Sequence, residues 1–566
     1  MRRYRSPAGR RRPWCAGAAA VALAIASRTA RTQPAGPGAF AVAARGAVET
    51  NRAATSTQMS ALRRLYADDG VAPLWTAGGR PTAQATAALA ILGEAASFGL
   101  DARDYDADRV SRAAATLADD ADSATLARFD VAMSRSVVQL LSDLHEGREN
   151  PRAVGAHLPD AHRGLDLAAI ALAVSRAARP DSVVAAAEPP YAGYAALKEA
   201  LAGYRALASD TSLRPPAPSR TALRPGDRYA DAAALRRLLV ALGDMAPAAA
   251  GADSLATDVY TAATALAVIS FQRRHGLGDD GVLGPATMAA LRVPLARRVR
   301  QIELTLERWR WLPDSPPERY AAVNVPAFRL YVFEHDPTAS RAALRMNVIV
   351  GQAGRQRATP IFTGTMSEVV FRPFWDVPPS IARKEVIPDV RRKPGYYERE
   401  GLEIVRGGDE GAVIYSPTSY NLDRVVAGTL RIRQRPGPRN ALGAVKFVFP
   451  NSYNVYLHGT PATQLFAETR RDFSHGCIRV EDPLALAEWV LRGQPGWDRA
   501  AVEAAAREGA PTRRVKLARP VAVYVLYVTV ARAPDGKVHF YSDLYGRDAS
   551  LERALAARRS TASAAE

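Results

Sequence analysis

The chain has 566 residues, 48% hydrophobic and 23% charged, a composition that fits several globular domains and excludes a fibrous or disordered chain. Its formal net charge of +18 favours anionic partners (nucleic acid, a membrane surface or a cell-wall polymer), or else reflects arginines that solvate alanine-rich helices. No nucleic-acid motif and no basic run interleaved with aromatic residues is present, which argues against nucleic acid.

The N-terminus reads MRRYRSPAGRRRPWCAGAAAVALAIASRTARTQPAG, with six arginines ahead of a short apolar run from Cys15 to Ala26. Small residues around Ser27–Ala30 offer a cleavage site, so residues 1–30 read as a secretory signal peptide and the protein as exported. The run is shorter than the about 20 apolar residues that span a bilayer, and an uncleaved anchor is the alternative. A lipid-attachment cysteine would follow the apolar run, whereas Cys15 begins it. No later segment is apolar enough to cross a membrane, so no integral membrane segment is expected after signal removal.

Residues 31–56, rich in Ala, Gly and Thr, predict a flexible lead-in. Residues 57–215 predict a helical scaffold. It includes a helix near Ser123–Leu144 with Val131, Val137, Leu140, Leu141 and Leu144 apolar, and His145 and Glu146 read as surface or capping residues. A proline-rich linker, SLRPPAPSRTALRPGD, leads into a compact module at 221–293. One of its helices carries Leu235, Leu238, Leu239 and Leu242. Another carries Ala263, Leu266, Ile269 and Phe271, with Leu277 beyond its end, and Pro285 starts the last. A connecting helix follows at 294–316. Alternating and apolar runs from 317 to 500 predict a β-rich domain, a sandwich or partly closed barrel. The less regular stretch 380–438 predicts a long insertion, a candidate lid. Residues 501–566 predict a C-terminal hairpin, turning at Asp535–Gly536, and a tail. The fold class is α+β and multidomain.

The chain has two cysteines. With Cys15 in the leader, Cys477 in SHGCIRV is left as a lone thiol in an oxidising compartment, either reactive or a small buried hydrophobe. A histidine within reach of a thiol can take its proton and yield a nucleophile–base pair. His458, in YLHGT, lies near a probable strand end, and His475 stands two residues before Cys477, on the same face if the segment is extended. His458, His475 and Cys477 could also ligate zinc, but no second cysteine or paired His/Asp motif flanks them, so no metal and no cofactor is expected. A Ser-His-Asp site on Ser474 lacks a nucleophile elbow.

HGT at 458–460 followed by SHGCIRV resembles the active-site signature of the L,D-transpeptidase catalytic domain. MNVIVGQAGRQRATPIFTGTM, FRPFWDVPPSIARKEVIPDV and RQRPGPRNALGAVKFVFPNSYNVYLHGT resemble the large Gram-negative members. LYADDGVAPLW, FGLDARDY and DLHEGRENP resemble their helical scaffold. Ile478 and Arg479 stand where many members have Val and Asn. Phe271-Gln272, His275-Gly276-Leu277, Asp280-Gly281-Val282, Gly284 and Thr287 resemble the three-helix peptidoglycan-binding module. The resemblance implies cell-wall peptide stems as partners, with other wall synthases possible alongside. It implies acyl transfer from a tetrapeptide stem to form 3→3 crosslinks, with Cys477 as nucleophile and His458 as proton donor and acceptor. Gly459 would orient His458, and backbone N–H groups of His475, Gly476 and Cys477 would form an oxyanion hole. Tyr456, Trp375, Arg479 and Ser474 are candidate substrate-binding residues. Acylation by carbapenems is implied as well. An L,D-carboxypeptidase, a wall-attachment or D-amino-acid-exchange transferase, and a non-catalytic wall-binding scaffold are the alternatives.

Overall fold

The computed structural model describes residues 37–50, 55–158, 164–252, 258–315, 317–334, 342–354, 357–408, 411–533 and 535–565. The expected signal peptide lies outside them. Part of the expected lead-in is instead a helix, α1 (Pro37–Glu49). Phe40, Ala44 and Val48 recur every four residues, and this stripe is buried against α2 (Ser123–Glu146). The five apolar residues named for α2 are all buried. His145, expected at the surface, is buried as well, 3.5 Å from Asp314, because the chain beyond the connecting helix folds over it. The scaffold sends one short strand, β1 (Ala156–His157), into the next domain and ends with α3 (Ala192–Ser209).

The module at 221–293 holds α4 (Ala232–Ala241), α5 (Ala262–Arg274) and α6 (Pro285–Leu291) around Leu235, Leu239, Tyr260, Val268, Phe271 and Leu291. The buried stripe of α5 runs through Ala265, Val268, Phe271 and Gln272. Leu266, expected inside, is 69% exposed, so the face is rotated by one position from that reading. Gln272 is the polar centre. Its amide nitrogen donates to Asp280 Oδ1, Val282 O and Thr287 Oγ1, while its oxygen accepts from the Gly281 N–H. A buried amide satisfied in this way fixes the turn 280–282 against α5. Arg274 carries a buried ion pair to Asp244 and also donates to Tyr204 of α3 and to the Val538 carbonyl, which ties the module to both neighbours.

Helix α7 (Leu295–Trp309) leads into a nine-stranded sheet. Its strands begin with β2 (Arg319–Asn324), β3 (Arg329–Glu334), β4 (Leu344–Ile349) and β5 (Ile361–Phe371). The stretch 380–438 then folds on its own. Residue pair β6 (Trp375–Asp376) is followed by a π-helical turn at Ala382–Val386, α8 (Ile387–Arg392), β7 (Leu402–Arg406), β8 (Val413–Tyr415), α9 (Ser419–Val426) and β9 (Arg431–Gln434). The strands pair in the order β8-β7-β9-β6 over a separate core of Ile387, Leu402, Ile404, Leu422, Leu430 and Ile432. An insertion with its own core is a small subdomain rather than the irregular loop the sequence suggested.

The main sheet resumes with β10 (Val445–Val448), β11 (Leu457–His458) and β12 (Ile478–Val480), then β13 (Arg513–Leu526). Its order is β10-β11-β12-β4-β3-β2-β13-β5-β1, and β10 also pairs with β5, closing all but β1 into a barrel. Closure removes the open edges. Strand β13 is parallel to β2 and antiparallel to β5. Residues 513–526 therefore belong to the catalytic-domain sheet rather than to a separate C-terminal tail. Only long-range pairing, invisible in local sequence, places them there. The hairpin β14 (Val530–Arg532) and β15 (Val538–Phe540) follows, then a helix over Arg547–Ala565.

Candidate active site

The site is built on the barrel strands β10, β11 and β12. β11 and β12 are parallel, with Leu457 opposite Ile478 and His458 opposite Arg479, and the Ile478 N–H donates to the Tyr456 carbonyl. Side chains alternate along a strand. Leu457 and Ile478 point into the barrel core, both fully buried. Tyr456, His458, Cys477 and Arg479 therefore share the other face. Lys446, directly opposite His458 on β10, joins them, its ammonium 4.0 Å above the Tyr456 ring.

His458 is 5% exposed, and its Nδ1 lies 2.6 Å from the Gly459 carbonyl oxygen. A carbonyl can only accept, so Nδ1 carries the proton and Nε2 keeps a lone pair. Burial, with the Arg479 and Lys446 charges, pushes this imidazole down to about 3, against the single opposing effect of the Gly459 bond. It is neutral at pH 7. The Cys477 thiol is half-buried and points to the Asn454 carbonyl, 3.7 Å away. Asn454 turns there with φ +54, a conformation asparagine tolerates. Burial pushes the thiol up, while the Tyr456 N–H and hydroxyl, Lys446 and Arg479 pull it down. The Tyr456 hydroxyl neighbours both Cys477 and Trp375, so the root of the insertion reaches the thiol.

Gly476 has φ +126, which L side chains rarely adopt, and so breaks the extended run. His475 does not share a face with Cys477. Its Nε2 sits 2.7 Å from Glu385 Oε1 in the insertion. Ser474 is buried and holds the turn. Its hydroxyl donates to the Cys477 carbonyl at 2.5 Å and accepts from the Gly476 N–H at 3.1 Å. The Gly476 N–H is thereby engaged, whereas among the described residues the N–H groups of His475 and Cys477 have no hydrogen-bond acceptor. Arg479 Nε is buried without a partner, and desolvation lowers the guanidinium below its ordinary range. Among the described residues no group of three His, Cys, Asp or Glu side chains is gathered as a metal ion requires, and no helix is long and apolar enough to cross a membrane.

Sequence reasoning missed Lys446, Asn454 and Glu385. Alternation along VKFVF could have put Lys446 on the His458 face, but only with the strand register known. Nothing local marks Glu385, which meets its partner 90 residues away.

Three family models match the chain. They are the L,D-transpeptidase catalytic domain over residues 318–498, the scaffold domain over 60–201 and the "Putative peptidoglycan binding domain" over 228–291. A Haemophilus influenzae protein named "Putative L,D-transpeptidase" is 28% identical over 257 residues, which cover 45% of this chain and 49% of the relative. The chain thus spans about half the length of that curated relative.

Proposed function

For a chain that belongs to the L,D-transpeptidase family and carries its scaffold and peptidoglycan-binding domains, we propose that the reaction is 3→3 crosslinking of peptidoglycan through a thioester on Cys477. The supporting observation is the strand register that puts Cys477 and His458 on one face. The Cys477 sulfur attacks the carbonyl of the third residue of a tetrapeptide stem. The thiol proton passes by way of His458 Nε2 to the nitrogen of the departing D-alanine as the C–N bond breaks. An amine from a second stem then attacks the thioester, the new amide forms, and the thiol regains a proton.

The Gly459 bond to Nδ1 leaves the His458 Nε2 lone pair free to accept the proton, while burial disfavours the charged imidazolium and so favours its return. The N–H groups of His475 and Cys477 are the donors we assign to the oxyanion. Gly476 acts through its backbone turn, since Ser474 holds its N–H. Arg479, with its buried unpartnered Nε, is the candidate for a stem carboxylate, and Trp375 and Tyr456 flank the donor. The module at 221–293 would hold the enzyme on the wall. The same reading puts the protein in the periplasm, with cell shape depending on its crosslinks and carbapenems acylating Cys477.

The test is incubation with disaccharide-tetrapeptide and mass analysis of the products, with Cys477→Ser as control. A dimer that has lost one alanine, absent in the control, is the expected outcome. Tripeptide monomer alone would replace the crosslinking assignment with the carboxypeptidase one.

A further inference from the structure

Glu385 stands in the π-helical turn Ala382–Val386, at the start of the insertion. Turns of this kind recur at functional sites. Its Oε1 lies 2.7 Å from His475 Nε2 and 2.8 Å from Arg357 Nη2. A carboxylate oxygen accepts, so His475 Nε2 carries a proton and donates. Both donors sit in segments that frame the nucleophile. His475 belongs to SHGC itself. Arg357 lies in the segment after Gly351, which is laced to SHGC by bonds from Thr359 Oγ1 to the Gly476 carbonyl, from the Gln352 N–H to the Ser474 carbonyl and from the Ser474 N–H to the Val350 carbonyl. One carboxylate from the insertion thus joins both walls of the nucleophile turn.

The pair is partly open to solvent, with Glu385 41% and His475 33% exposed. At that exposure it adds little to the stability of the fold. Breaking it would leave both cores intact, since the insertion has its own. A second tie from the subdomain to the site is Trp375, at its root, beside the Tyr456 hydroxyl. Two contacts at separate points, Trp375 at the root and Glu385 at the first turn, define a clamp. The Glu385 contact is the solvent-open one of the two and so the releasable one.

We propose that Glu385 is a positioning residue for the transfer reaction: through His475 and Arg357 it latches the insertion onto the nucleophile turn and holds the His475–Cys477 backbone in its donor geometry. This rests on the transpeptidase reading. Release of the latch lets the insertion swing from the thiol, and closure on a bound stem sets the N–H groups toward the carbonyl oxygen.

The test uses the full chain with Glu385→Ala and Glu385→Gln, whose amide oxygen can still accept from both donors. In the alanine variant kcat on disaccharide-tetrapeptide falls by about tenfold while KM changes by less than about threefold. Iodoacetamide labelling of Cys477, read on its peptide, speeds by about threefold or more, because an unlatched insertion exposes the thiol. Amide exchange over 379–392 speeds with it, and the thermal midpoint stays put. The glutamine variant remains within about twofold of the parent in every readout. A Glu385→Ala protein with parental labelling, exchange and kcat overturns the latch, as does a glutamine variant impaired to the same degree as the alanine one. If the parent fails to turn over tetrapeptide, the reaction assignment fails, while labelling and exchange still decide the latch.

Discussion

Cys477 and His458, on one face of the sheet, are a neutral thiol and a neutral imidazole, and the pH dependence of thiol capture tests this directly. Burial raises the thiol above its ordinary range, and the opposing pull of Tyr456, Lys446 and Arg479 does not cancel it. With a thiol pKa above the ordinary value of about 8.5, only a few per cent or less is thiolate at pH 7. His458, pushed down to about 3, has no proton to give that would stabilise an ion pair. Iodoacetamide reacts with the thiolate, so the second-order rate of Cys477 labelling should climb by about tenfold per pH unit from 6 to 8, without levelling. A preformed thiolate–imidazolium pair would instead give a flat rate above about pH 5. The assay is timed labelling across pH 5.5–9.5 with mass spectrometry of the Cys477 peptide, and His458→Gln should leave the slope unchanged. A plateau already present at pH 7, or a slope that disappears in His458→Gln, refutes the neutral pair.

The same histidine makes stability depend on pH. In the unfolded chain its imidazole takes a proton below about 6.5, whereas the folded site resists protonation down to about 3. Its contribution is therefore present above the unfolded value and lost as pH falls through that window. By pH 4.5 the loss is about 2–3 kcal/mol, and urea unfolding of the parent against His458→Gln should show that part of the slope missing in the variant. Gly443 has φ +63, and a Cβ there would lie 2.6 Å from the Thr460 nitrogen. Gly443→Ala should cost about 2 kcal/mol or more and displace HGT, while Gly408→Ala, in open space, should be neutral; thermal melts and turnover check both. Asp244→Ala would strand Arg274, whose side chain is 2% exposed, at about 3–5 kcal/mol, and limited proteolysis should then cut between the module and the catalytic domain.

Local patterns made much of this fold legible. Val131, Val137, Leu140, Leu141 and Leu144 read as the apolar positions of a helix, and all are buried in one, although that helix is buried on nearly every side rather than along a single face. Gln272 and its turn were legible through the resemblance to the peptidoglycan-binding module, and the structure adds the reason: one amide binds Gly281, Val282 and Thr287 together. What stayed hidden depends on partners far along the chain. Residues 513–526 alternate like any hairpin strand, and only pairing with Arg319–Asn324 and Ile361–Phe371 makes them central to the barrel. The insertion looked irregular because its strands are short and its core is shared among many small elements. At the site, HGT and SHGC pointed to the thiol and imidazole, and their register supplied the common face. The role of His475 could not be read from its spacing, because a single glycine with φ +126 turns it to Glu385.

The most direct measurement is the intact mass of the protein quenched in acid early in its reaction with disaccharide-tetrapeptide, followed by mapping of the modified peptide. The account predicts an adduct of the stem less its terminal alanine, carried by the SHGCIRV peptide through Cys477 and sensitive to hydroxylamine, as a thioester is. Turnover of the stem with the adduct on any other residue, or with no adduct in parent protein and the same turnover in Cys477→Ser, would contradict it.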